Sequence, residues 1–289
     1  MKRGTILAAT LLVTLGTGLA AILFPPLRDA IGIAPGGPAP LRAAERLFND
    51  AMTDPGSRSL VAEAASIGLE VSAGGADWEG VRIAEPAGMC EGRGIYLLRD
   101  GNVRPVALTA PHRGADRNTG TLAAQLFLET GAAAAAWNSA PRKPTSDCPA
   151  ALDLAKAPRH PFTGFALAFA DRFPQGRIVQ LHGFDRSKRA DEAGRSAGII
   201  LSNGTMEPEP GLLDLADCLS VALAPYPVRV FPYETGELGA LTNAQGEALR
   251  GKGFAGFVHL EMAEDLRAAL VADEMLRAQL AQCLFGGLE

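Results

Sequence analysis

Histidine is scarce in this chain. Among 289 residues there are four, His112, His160, His182 and His259, and any site built on imidazole must draw on them. Aromatic residues make up only 6%, which argues against a stacking platform for single-stranded nucleic acid. An excess of basic residues is missing too. The 27 Lys and Arg against 32 Asp and Glu leave a net charge of −5, so no nucleic-acid partner is expected. The four cysteines, Cys90, Cys148, Cys218 and Cys283, form no Cys-x-x-Cys pair, and a thiolate zinc site has no support. Neither a serine nucleophile elbow nor a glycine-rich nucleotide loop is expected.

Residues 4–24 carry no charge and follow Lys2-Arg3, the pattern of an export signal. The run is also close to the ~20 residues that span a bilayer. It is therefore expected to act as a signal peptide or to remain as a membrane anchor, with the bulk of the chain exported to the periplasmic side. Residues 25–40, with Pro35-Gly36-Gly37-Pro38, read as a linker. A single domain is expected over 41–289. An even cysteine count in an oxidising compartment suggests up to two disulfides. Three pairings are open, with Cys218–Cys283 favoured because both lie on apolar helical stretches.

Within 41–289, short apolar runs alternate with helical stretches. Strands are expected at Ile95–Leu98, Val106–Leu108, Ala132–Trp137, Arg177–Leu181, Gly198–Leu201, Val228–Phe231 and Gly256–Leu260. Helices are expected at Leu41–Met52, Thr119–Thr130, Phe162–Phe173, Leu212–Leu223 and Asp265–Leu284. The alternation predicts an α/β fold: a mixed, mainly parallel sheet with helices on both faces, in three layers. Ligand sites in such folds lie at the carboxyl ends of the strands.

Three of the four histidines are expected near such ends. His112 follows the strand at 106–108, His182 ends the strand at 177–181, and His259 shares a strand face with Glu261. His112, Asp116 and His182 form a nitrogen–oxygen–nitrogen set that suits Zn2+ with one open position. Glu261 is then the general base. Arg142 is placed to clamp a substrate carboxylate. Arg186, in a cationic turn just after His182, is a second such residue. Asn243 and Gln245 are candidate polar site residues, or simply a helix start.

These residues resemble a known group. Ala110-Pro111-His112-Arg113-Gly114-Ala115-Asp116, Gln180-Leu181-His182-Gly183-Phe184 and Val258-His259-Leu260-Glu261 are similar, in the same order, to motifs of the poly-γ-glutamate hydrolase and N-formylglutamate amidohydrolase relatives of zinc carboxypeptidases. Asn138-Ser139 with Arg142 resembles their carboxylate-holding Asn/Arg pair. The resemblance implies a mixed eight-stranded sheet, one zinc on His112, Asp116 and His182, Glu261 as base, and Asn138 and Arg142 on the substrate. The leading expectation is an exported zinc hydrolase that cleaves an amide or peptide bond in a small molecule or peptide bearing a carboxylate. The alternative is a periplasmic binding protein on a hydrolase-like fold that has lost catalysis. A metal-independent esterase ranks last.

Overall fold

The computed structural model describes residues 38–148 and 152–288. The expected signal or anchor segment, 1–24, lies outside the described residues. So does most of the expected linker, although helix α1 (Pro38–Thr53) already begins at Pro38. Among the described residues no helix is long and apolar enough to cross a membrane.

One mixed sheet organises the chain. Its strands are β1 (Glu70–Ala73), β2 (Gly80–Ala84), β3 (Ile95–Arg99), β4 (Arg104–Ala110), β5 (Ala132–Trp137), β6 (Arg177–Phe184), β7 (Ile199–Ser202), β8 (Val228–Val230) and β9 (Phe257–Ala263). Their spatial order is β1-β2-β3-β5-β4-β6-β9-β7-β8, nine strands where the resemblance implied eight. The centre, β5-β4-β6-β9, is parallel throughout. The margin β1-β2-β3 is antiparallel and joins β5 antiparallel, and β7 joins β9 antiparallel.

Helices cover both faces. Alternate residues of the central strands point to opposite sides, so each strand feeds two cores. Val106, Leu108, Val179, Leu181, Val258 and Leu260 face the core closed by α3 (Thr119–Glu129), α6 (Pro210–Ala222), α8 (Glu264–Ala272) and α9 (Glu274–Phe285). Ala107, Ile178 and Phe257 face the core closed by α1, α4 (Pro161–Arg172) and α7 (Ala244–Gly251). Here Phe48, Tyr96 and Phe165 form a ring cluster, with Tyr96 and Phe165 centroids 5.5 Å apart. The five alanines of β5 are buried, and the short side chains of Ala133, Ala134 and Ala136 belong to the same core as those rings.

Besides the five-residue α5 (Glu192–Ser196), three elements had no clear signal in sequence: β1, β2 and α2 (Ser59–Ser66). They form the half-exposed margin, where β1 has no fully buried residue and the hydrophobic alternation is weak. The helix expected over 265–284 is two helices, broken at Asp273, whose carboxylate caps the second by accepting from the Leu276 N–H. Two disulfides are present, Cys90–Cys148 and Cys218–Cys283, the latter joining α6 to α9.

Candidate active site

The strands that carry the candidate residues run further than their apolar stretches. β6 continues to Phe184 and β9 to Ala263, so His182 and Glu261 lie within strands and pair in register, as do Gln180 and His259 one step earlier. One face of the sheet thus changes along its length. It is apolar at Ile178 and Phe257 and becomes polar at Gln180, His259, His182 and Glu261. All four of these side chains are buried. His182, His259 and Glu261 open into a cleft of about 730 Å³ at the carboxyl ends of the strands.

His112 and Asp116 reach the same place from the loop after β4. That loop is one helical turn, in which the Asp116 N–H donates to the His112 carbonyl, before Asn118 takes a left-handed conformation (φ 75°) and α3 begins. Asp116 Oδ2 is 3.3 Å from His112 Nδ1 and 3.3 Å from His182 Nδ1. His112, Asp116 and His182 thus form one group able to hold a metal ion, and His182, His259 and Glu261 form a second that shares His182.

The proton positions on the two liganding imidazoles follow from their outer partners. His112 Nε2 donates to Asp153 Oδ1 at 2.7 Å. Gln245 Nε2 donates to the Leu154 carbonyl, which only accepts, so Gln245 Oε1 faces Gln180 and accepts from its Nε2 at 3.1 Å. Gln180 Oε1 then faces His182 and accepts from Nε2 at 2.9 Å, with a second bond from Asn243 Nδ2. Both neutral rings therefore carry hydrogen on Nε2 and present a bare Nδ1 to Asp116. Three acceptors with no proton between them require either a second proton on a ring or a cation.

Electrostatics divide the two carboxylates. Burial opposes charge on Asp116, but His112 and His182, which donate to its Oδ2 once a ring takes a second proton, overcome it and hold its pKa well below the usual carboxylate range. Glu261 has no such partners. Burial, reinforced by the Asp116 charge, pushes its pKa up to about 8. Burial resists charge on His112, yet Asp116 and Asp153 raise its pKa, whereas burial lowers those of His182 and His259. Glu261 Oε2 and His259 Nδ1 are buried with no hydrogen-bond partner, and Glu261 Oε1 lies 3.7 Å from His259 Nε2.

The expected substrate residues are placed differently. Asn138 does not line the cleft. Its Nδ2 donates to the Leu152 carbonyl and its Oδ1 accepts from the Ala140 N–H, so it fastens two backbone segments. Arg186 also lies outside the lining, with Nε on the Ala197 carbonyl and Nη1 on Asp265 at 2.7 Å. Arg142 does line the cleft, but two of its nitrogens donate to Asp153 Oδ2, at 2.8 and 3.1 Å. It therefore backs His112 through Asp153. His160 caps α4, its Nδ1 accepting from the Phe162 N–H.

Two stretches carry the letters of motifs that were not expected. Gly194-Arg195-Ser196-Ala197-Gly198 reads G-x-S-x-G, and Gly251-Lys252-Gly253-Phe254-Ala255-Gly256 reads G-x-G-x-x-G. Both run from a helix into a strand, α5 (Glu192–Ser196) into β7 and α7 into β9, the reverse of the strand-to-helix turn that each chemistry needs. The Ser196 hydroxyl is exposed and donates to the Glu192 and Ala193 carbonyls.

Sequence reasoning missed Asp153 and assigned no role to Gln180 or to Arg267, although both lie in the stretches that carry the family resemblance. Gln180 had a signal, since it lies two residues before His182 on the same strand face. Asp153 had none, being 41 residues from the histidine it orients.

No family model matches the sequence, and no curated protein matches it. Solved structures do. N-formylglutamate amidohydrolase from Ralstonia eutropha JMP134 is 16% identical, with 66% of this chain and 95% of that chain covered and a TM-score of 0.42. A metallo-carboxypeptidase from Burkholderia cenocepacia is 12% identical, with 80% and 69% covered and a TM-score of 0.36.

Proposed function

We propose that this protein is an exported, zinc-dependent hydrolase that cleaves an amide or peptide bond in a carboxylate-bearing substrate. The observation that carries the reading is the convergence of His112 Nδ1, His182 Nδ1 and Asp116 Oδ2 on one point, with no hydrogen between them when both rings are neutral. Two borderline nitrogens and one hard oxygen fit zinc with a position left open. Bound there, zinc supplies Lewis-acid polarisation of a carbonyl and acidification of a water.

The rest is work for the chain's own groups. Glu261 is buried beside the cluster, with one oxygen free of any partner, and acts as the general base that takes a proton from the attacking water and returns it to the leaving amine. The raised pKa suits this role, because a base working near neutral pH needs a pKa close to that pH. Asp153 and the amides of Gln180 and Gln245 hold the imidazoles in the tautomer that keeps Nδ1 bare. Two disulfides fit an oxidising compartment, and the uncharged stretch at 4–24 supplies the export signal or an anchor.

The test is metal content together with hydrolysis of a panel of acylated amino acids and γ-linked peptides. Wild type is expected to hold close to one zinc per chain, and His112→Ala to lose it. A wild-type protein that takes up no zinc overturns the reading and leaves a ligand-binding protein in its place.

A further inference from the structure

We infer that Arg267, seated on Gly183, is a preformed anion subsite that receives the carboxylate of the substrate. The inference rests on the reading of the cleft as a substrate site and names the residue that selects the substrate's charge.

Cations line the cleft, and most are already paired. Arg142 is bonded to Asp153, Arg189 to Glu237, Lys188 to Asp185 and Arg117 to Glu264, while Lys156 is held by Thr242. Arg267 differs in two ways. It is the one buried cation of the lining, 5% exposed. No carboxylate lies within ion-pair distance of it among the described residues, and its one side-chain hydrogen bond runs from Nη1 to the Arg117 carbonyl at 2.6 Å. Its Nε has no acceptor. A guanidinium stays charged in a protein, so burying it without a paired anion is costly. The fields of Asp116, Glu264 and Glu261 reach it without contact.

The backbone makes room for this arrangement. A Cβ at position 183 would fall 2.3 Å from Arg267 Cζ and 2.3 Å from Nη1. Glycine at 183, one residue past the candidate ligand His182, lets the guanidinium lie flat against β6. The planar fork then sits between β6 and the loop that follows His112, whose Arg117 carbonyl it holds, and it lines the same cleft as His182 and Glu261. A carboxylate is the anion that matches such a fork.

The test is binding of succinate, against its uncharged diamide succinamide, by calorimetry on protein stripped of metal with a chelator. This readout does not depend on zinc, so its failure is distinct from failure of the zinc reading. Wild type is expected to prefer succinate by about tenfold or more, the worth of one charge-assisted contact. Arg267→Gln and Gly183→Ala are each expected to remove that preference. Arg267→Lys, which keeps the charge and loses the fork, is expected to weaken it. Arg82→Ala, an exposed cation of β2 outside the lining, is expected to keep it within about twofold. Equal binding of the two probes by wild type overturns the inference even if every variant fails to fold. Full preference for succinate in Arg267→Gln overturns it as well.

Discussion

The two halves of the cleft, on either side of His182, are built from the same residue types in opposite condition. On one side, the outer groups are held: Asp153 takes the outer nitrogen of His112, and Asp116 Oδ2 lies 3.3 Å from both inner nitrogens, an arrangement that a cation completes. On the other side, His259 and Glu261 are equally buried and each leaves an atom without a partner. A buried polar atom left unpaired costs about 1–3 kcal/mol. The contrast teaches that burial alone does not assign roles. The partnered half is organised to hold something still, and the orphaned half to exchange a proton with something that enters.

The strongest way to break this contrast is Glu261→Gln. It is isosteric and lies in the orphaned half, so zinc content is expected to stay near wild type while kcat falls about 100- to 10,000-fold, the usual worth of a general base. Loss of zinc along with activity would put Glu261 in the holding half. A second test uses His160, an imidazole that is buried and partnered but far from proton exchange. Burial, with help from Arg93, lowers its pKa to about 4 from 6.5. The folded state then refuses a proton that the unfolded chain accepts below 6.5. Stability from this group is complete above pH 6.5 and is lost as pH falls toward 4, by about 3 kcal/mol. Denaturant midpoints between pH 7 and 4 measure the loss, and His160→Asn, which keeps a helix cap, is expected to flatten the decline. Next in size is Asp153→Asn. Replacing the charged acceptor of His112 Nε2–H by a neutral amide oxygen is expected to weaken zinc affinity about 10- to 100-fold in a chelator competition. The smallest effect is expected of Gln245→Leu, which acts on His182 only through Gln180. Affinity should drop by about tenfold or less, with kcat on the fully loaded protein little changed. An effect larger than that of Asp153→Asn would mean that His182 depends on its amides more than His112 depends on its carboxylate.

Much of the centre was legible in the sequence. β4, β6 and β9 are compact runs of Val, Ile, Leu and Phe, and a histidine at the end of such a run marks a strand terminus facing a cleft. His112, Asp116 and His182 lie together in one group, and Glu261 joins His182 and His259 in a second. The margin was not legible, because β1 has no buried residue and β2 is five residues long with the charged Arg82 at its centre. The cationic part of the site was read least well. Arg142 and Arg186 stood out by their neighbours in the chain, yet each spends its nitrogens on a local acceptor. Arg267 lies on a helix after the last strand, and only the sheet order shows that this helix start returns to Gly183 on the adjacent strand. Asp153 is hidden for the same reason: a loop carboxylate acquires a role only when folding brings a distant ring to it.

The sheet order has one more consequence, for the sequence of events in folding. β9, the last strand of the chain, lies between β6 and β7. Until residue 263 has emerged, β6 and β7 each keep an open edge with its N–H and C=O groups unpaired, the kind of edge that recruits other chains. The candidate centre waits on the same event, since Glu261 and His259 arrive on the strand that closes the gap. A chain ended before β9 would thus lose half of the cleft and the continuity of the sheet together, and the exposed slot is where its aggregation is expected to start.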